Sequence, residues 1–175
     1  SHLPAKLTLD KLGIARRTLR QKLREAAAAY HLEPHLADFF ADKKVTLTIF
    51  EAAALGRTTH LARLLARNPD LVNTFADDGF QPLGLACFFG HLEAADYLVR
   101  AGASINIPSN NELHATSLQS AVAGGHAPIV KMLLKSGAQP NVRERGGATP
   151  LHTAAANGDS ESVQLLILAG ADLHL

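Results

Sequence analysis

The chain has 175 residues, of which 47% are apolar, 19% charged and 5% aromatic, with no Trp, a single Cys and a net charge of +1. A chain of this length removes roughly 70% of its unfolded surface from water on folding. It therefore needs no disulfide or metal staple, and its apolar share excludes both a disordered chain and a coiled coil. One cysteine, Cys87, excludes an internal disulfide framework and a cysteine-rich zinc site. No apolar run approaches the ~20 residues of a membrane span, and the first residues lack a secretory apolar segment, so a cytoplasmic protein is expected. Few aromatics and abundant Ala and Leu favour packed helices over a β-sandwich.

Charge divides the chain. Residues 1–45 carry nine Lys or Arg against five acids, and residues 46–175 carry eight against eleven. In the basic segment, Leu7-Thr8-Leu9-Asp10-Lys11-Leu12-Gly13-Ile14 and then Ala15-Arg16-Arg17-Thr18-Leu19-Arg20-Gln21-Lys22-Leu23 read as helix, glycine turn, helix. This stretch resembles the helix-turn-helix of the factor-for-inversion-stimulation class of bacterial regulators. The resemblance implies that Arg16, Arg17, Arg20 and Arg24 meet phosphates or guanine edges from a helix in the major groove. A plainer reading stands beside it. Leu19, Leu23, Ala27 and Tyr30 form an apolar stripe, and Leu32, Leu36, Phe39 and Phe40 form another, so the segment can also serve as a helical cap on the rest of the chain.

From residue 46 onward the chain repeats itself. Glycine-containing helix ends recur at Gly56, Gly90, Gly125 and Gly158, spaced 34, 35 and 33 apart. Twelve residues after the last three come Gly102-Ala103, Gly137-Ala138 and Gly170-Ala171, with Asn68 at the matching place in the first unit. Glycine and asparagine are the residues that tolerate the left-handed conformation of a helix stop. Between the two signals, apolar residues hold fixed offsets: Leu61, Leu64 and Leu65; Ala95, Leu98 and Val99; Val130, Leu133 and Leu134; Val163, Leu166 and Ile167. Spacings of three and four mark one face of a helix. Small residues precede each first glycine, as in Ala52-Ala53, Ala86-Cys87, Ala121-Val122 and Ala154-Ala155, and let a partner helix approach closely. Each unit is a helix pair.

The start of the last unit, Thr149-Pro150-Leu151-His152, joins a hydroxyl N-cap to a proline at the first helical position. With the repeat length of about 33 residues, it resembles the signature of the ankyrin-repeat family. The resemblance covers residues 46–175 and implies an all-α ankyrin-repeat solenoid of four helix pairs with β-turn or hairpin fingertips, preceded by an N-terminal helical segment. The units fall at about 46–77, 78–108, 109–143 and 144–175. The other units depart from the motif as Thr48-Ile49-Phe50-Glu51, Gln81-Pro82-Leu83-Gly84 and Thr116-Ser117-Leu118-Gln119. In the family the motif histidine usually bonds backbone between units, so softer second and third junctions are expected. The 35-residue spacing places extra length at Ser109 to His114, a longer exposed fingertip. The last unit lacks the polar outer face of a terminal repeat, which leaves room for self-association or for continuation of the chain.

Catalytic and metal chemistry find no foothold. The nine histidines show no ligand spacing, and no nucleophile elbow or phosphate-binding glycine loop is present. Cys87 sits among small helix residues, an inert setting. No cofactor is expected. What remains is surface. The resemblance implies that the two residues before each helix-end glycine face a concave groove: Ala54-Leu55, Phe88-Phe89, Ala123-Gly124 and Ala156-Asn157. Phe88 and Phe89 would form an aromatic knob there, unless the rings pack against the neighbouring unit. Exposed fingertips would add Phe80, then Asn110, Asn111, Glu112 and His114, then Arg143 and Arg145. The expected function is a non-enzymatic module that binds a partner protein through groove and fingertips. The alternative is a DNA-binding regulator acting through the basic helices.

Overall fold

The computed structural model describes residues 47–173, which carry four antiparallel helix pairs. They are α1 (Ile49–Ala54) with α2 (Thr58–Arg67), α3 (Pro82–Phe88) with α4 (Leu92–Arg100), α5 (Ser117–Gly124) with α6 (Ala127–Lys135), and α7 (Pro150–Asn157) with α8 (Ser160–Leu168). One turn of 3₁₀-helix, Pro69–Asn73, follows α2. The inner helices α1, α3, α5 and α7 pack in succession, and the outer helices α2, α4, α6 and α8 do the same behind them. The basic segment and the cap or DNA-contacting helices expected in it lie outside the described residues.

Local chemistry starts the inner helices. Thr48, Thr116 and Thr149 each accept a hydrogen bond from the backbone three residues on, and Glu51, Gln119 and His152 return one to the cap residue. Each such reciprocal box satisfies two of the amide groups that a helix start leaves unpaired. In α7 the imidazole does what a carboxylate or carboxamide does elsewhere, its Nδ1 lying 2.8 Å from Thr149 Oγ1. Helix α3 lacks a side-chain cap and begins instead with Pro82, whose fixed φ suits the first helical position.

The periodic apolar positions form the core. Leu61, Leu98, Leu133 and Leu166 are fully buried, as are Ala95 and Val130. Each leucine contributes about 1.5–3 kcal/mol by leaving water. At the end of the stack the same pattern opens: Ile167 is 43% exposed, whereas Leu65 at the matching place in α2 is 7% exposed.

Two seams of polar bonds join the units. At the helix-end turns, His91 Nε2 lies 3.0 Å from the Ala54 carbonyl, His126 Nε2 lies 3.0 Å from that of Phe88, and Asn157 Nδ2 donates to Val122 O at 3.2 Å. The first two bonds correct the expectation of soft second and third junctions. The residue after the helix-end glycine bridges them, and the motif histidine His152 caps its own helix. Glycine is required where these rings pass, because a Cβ on Gly56 or Gly90 would meet the ring of His91 or His126 at 2.6 or 2.5 Å, and both glycines have positive φ. On the loops leaving the outer helices, asparagines span the units with two bonds each. Asn73 donates to Gly102 O and accepts from Ser104 N, Asn106 does so with Gly137 and Gln139, and Asn141 with Gly170 and Asp172.

The fingertips need a second correction. Among the described residues there is no β-strand, so the hairpin fingertips expected from the resemblance are absent. Each tip is a turn whose ends are joined by one backbone bond, Ala76 N to Phe80 O, Ser109 N to Ala115 O, and Glu144 N to Ala148 O, with a second inside it, Gly79 N to Ala76 O, His114 N to Asn111 O and Gly147 N to Glu144 O. Neighbouring tips exchange one bond each, Asn110 N to Gly79 O and Arg145 N to Leu113 O. Isolated bonds do not build the alternating ladder that a strand pair requires.

Candidate binding surface

Helix α3 places the aromatic pair. Pro82 through Cys87 are all buried, so this helix is wrapped by its neighbours over most of its length. Only at its last turn do Phe88 and the C-cap Phe89 emerge, half-buried, packing on the core below while showing ring surface above. Their centroids lie 5.1 Å apart with planes at 85°. Such an edge-to-face pair sets positive ring edge against negative ring face and holds both rings in place. The pair therefore packs on the core and keeps part of its surface exposed.

Along the inner helices, what flanks the rings is uncharged and apolar. Ala54 is buried and Leu55 half-buried on one side; Ala123 and Gly124 are half-buried on the other, and beyond them Ala156 is exposed. An added Cβ on Gly124 would lie 2.4 Å from the Phe88 carbonyl, so the end of α5 rests directly on the backbone beneath the ring. Along α1, α3, α5 and α7 the one charged side chain is Glu51, which is held in its capping box.

The fingertip residues divide. Phe80 is a correction: only 3% exposed, it packs in the core and cannot meet a partner. Its backbone closes the first tip through Ala76, which turns the ring inward beneath that tip. Asn110, Glu112 and His114 are exposed, His114 with a positive φ of 53°. Asn111 is half-buried and its carboxamide is committed: Nδ2 donates across to Asp78 O on the first tip, and Oδ1 accepts from Ser109 Oγ and Leu113 N within its own. The tip that holds these residues closes over seven residues, 109–115, where its neighbours close over five, 76–80 and 144–148. Arg143 and Arg145 are exposed on the third tip. Asn157 is half-buried, its amide committed to the Val122 carbonyl. Arg16, Arg17, Arg20 and Arg24 lie outside the described residues.

The asparagine clamps are absent from the expectations drawn from sequence, although a signal is present. Asn106 and Asn141 each stand four residues after the second glycine of their unit, and Asn73 five after Asn68. Gln119 stands out in the sequence only as a missing motif histidine, yet its Nε2 reaches the carbonyls of Val142, at the end of its own unit, and of Ala148 in the next. Cys87 is buried, and burial pushes its thiol far above the ordinary range. Among the described residues no three His, Cys, Asp or Glu side chains gather as metal ligands, and no helix is long and apolar enough to cross a membrane.

Comparison with known proteins agrees with this architecture. Sequence profiles described as ankyrin repeats match residues 49–99 (many copies) and 107–175 (3 copies). The ankyrin repeat protein YahD of Escherichia coli (strain K12) is 34% identical over 172 residues, covering 94% of this chain and 84% of that protein. An ankyrin repeat-containing protein of Treponema pallidum (strain Nichols) is 31% identical over 66% of this chain and 42% of its own length. The human SH3 and multiple ankyrin repeat domains protein 1 is 34% identical over 71% of this chain, which spans only 6% of that protein. Helix pairs, glycine stops and register thus converge with the comparisons, and the chain belongs to the ankyrin-repeat family.

Proposed function

We propose that the chain is a non-enzymatic protein-binding module whose partner lies along the ends of the inner helices and is anchored on Phe88 and Phe89. The observation that carries this reading is the aromatic pair itself, half-buried, set edge to face and bordered along the inner helices by uncharged apolar residues. Aromatic side chains concentrate binding energy in interfaces when neighbouring contacts exclude water from them. The stacked units supply rigidity, so little conformational entropy is lost on binding. Phe88 also stands at a junction, since His126 bonds its carbonyl, and this fixes the ring relative to the next unit.

The test is affinity capture from a lysate of the source organism, with nuclease treatment, comparing the intact chain with a Phe88→Ala, Phe89→Ala variant that circular dichroism shows to be folded. A protein retained by the first and lost by the second supports the reading. Should the double variant unfold, Ala123→Lys places a charge at the neighbouring helix end, and retention of the partner by that variant refutes the site. Material that disappears with nuclease would instead move the function to the basic segment.

A further inference from the structure

Each unit receives the next through a face of constant make-up. At fixed offsets from the helix-end glycine, the second and third units place Leu83 and Leu118, Cys87 and Val122, and Ala95 and Val130, none of them more than 1% exposed. Val99 and Leu134 join them, half-buried against the core. On α7 and α8 the same offsets hold Leu151, Ala155, Val163 and Ile167. There Leu151 and Val163 are only half-buried, Ala155 is exposed and Ile167 is 43% exposed. The residue types persist and the cover does not. A polar position agrees with them. In α5, Gln119 Nε2 reaches Ala148 O in the next unit. His152 holds that place in α7, where its Nδ1 is engaged with Thr149 and its Nε2 has no partner among the described residues. The loop leaving α8 also follows the established course. Asn141 holds Gly170 O and Asp172 N as Asn106 holds Gly137 O and Gln139 N, and after α6 that course leads to the cap of α7. Leu173 is 66% exposed, whereas Ile105 and Pro140 at the matching places are half-buried.

From face and course together we infer that α7 and α8 receive a further helix pair of the same kind, carried by the same polypeptide through the loop that leaves α8. Inner helices pack on inner helices and outer on outer, so its first helix lies over Leu151 and Ala155 and its second over Val163 and Ile167. A backbone carbonyl at its start accepts from His152 Nε2, as Ala148 O does from Gln119. Continuity selects this occupant. Stacked repeats bury in one another the apolar surface that none can bury alone. Every interface among the described units also joins unlike faces, one unit's receiving face against the opposite face of the next. A second copy docked symmetrically through this face would set like against like. The inference stands apart from the aromatic pair, which lies on α3.

Ile167→Cys supplies the probe, because Cys87 is buried with its thiol pushed far above the ordinary range and does not compete for a thiol reagent. Two proteins carry it. One is the 175-residue chain; the other adds a copy of residues 143–175 after Leu175. The copy keeps register, since Val142 and Leu175 each stand five residues after the second glycine of their unit. A maleimide is expected to label the first protein at the rate of an exposed thiol whatever the protein concentration, and the second about tenfold or more slowly, since reactivity follows exposure. Leu168→Cys is the control. Its offset is exposed in every unit, as at Ala66, Arg100 and Lys135, so it should label alike in both proteins. Placed in the gene of the source organism, Ile167→Cys should label in lysate as slowly as in the extended chain. Equal rates for Ile167→Cys in the two proteins overturn the inference, because the added unit then leaves the face open. Protection of the 175-residue chain that grows with its concentration overturns it in favour of a second copy. Fast labelling in lysate overturns it as well, since the natural protein then leaves Ile167 in water.

Discussion

The two seams that join the units do the same work by different means. At the helix-end turns a ring or a carboxamide presses against the backbone of the preceding unit and makes one bond: His91 to Ala54, His126 to Phe88, Asn157 to Val122. On the exit loops an asparagine reaches across and makes two, as Asn106 does with Gly137 and Gln139. The first seam dictates its neighbours, since the rings leave no room for a side chain on Gly56 or Gly90. The second leaves its surroundings open, because no atom lies within 4 Å of where a Cβ would stand on Gly102 or Gly137, and only their positive φ of 93° calls for glycine. Constraint follows closeness of approach, not the number of bonds.

The largest expected effect tests that claim with an internal control. Gly90→Ala must hold a left-handed conformation, at a cost of about 1–2 kcal/mol, and must displace the His126 ring from the Phe88 carbonyl as well. Losing that inter-unit bond adds about 1 kcal/mol, for a total near 3 kcal/mol. Gly125→Ala has a similar φ of 76° but open space around its Cβ, so it should cost only the conformational part, about 1–2 kcal/mol. Urea unfolding of the two variants measures the difference. Equal losses would show that ring approach contributes nothing and that only φ matters.

Asn106→Ala comes next. It removes both bonds of one clamp in a solvent-accessible setting, where each net bond is worth about 0.5–1 kcal/mol, so a loss of about 1–2 kcal/mol is expected. Its local consequence is sharper than its global one. Hydrogen exchange should rise at the amide of Gln139, which donates to the Asn106 side chain at 2.9 Å, and should stay unchanged at that of Ser104, held by Asn73. Uniformly raised exchange at both amides would mean that the clamps act as one unit.

These contrasts also explain what could be read in the sequence. The glycine register and the leucine offsets located every helix pair, because backbone conformation and burial act on residue type directly. The hydroxyl cap at Thr149 was legible for the same reason, although the return bond to His152 was not. Phe80 was misplaced outward because its neighbours Asp77, Asp78 and Gly79 read as an exposed turn, whereas its own ring turns into the core. Bridges between units were missed or misassigned because they join residues 29–38 apart in sequence, and nothing local distinguishes an asparagine that reaches across from one that faces water. The ladder-free tips were hidden likewise, since turn residues alone do not reveal whether flanking chain will pair.

The smallest effect has the opposite sign and marks where polar pairing is incomplete. At the start of α8, Asp159 caps the helix by accepting from Ser162 N at 3.0 Å, yet its other carboxylate oxygen and the Ser162 hydroxyl are buried with no hydrogen-bond partner among the described residues. A buried hydroxyl that makes no bond has lost its hydration for nothing. Ser162→Ala should therefore raise stability, by up to about 1 kcal/mol, helped by the better helix propensity of alanine. Asp159→Ala removes the cap and should cost about 1 kcal/mol. A loss of stability with Ser162→Ala would show that its hydroxyl does find a partner, and the end of α8 would then be as fully bonded as the seams that precede it.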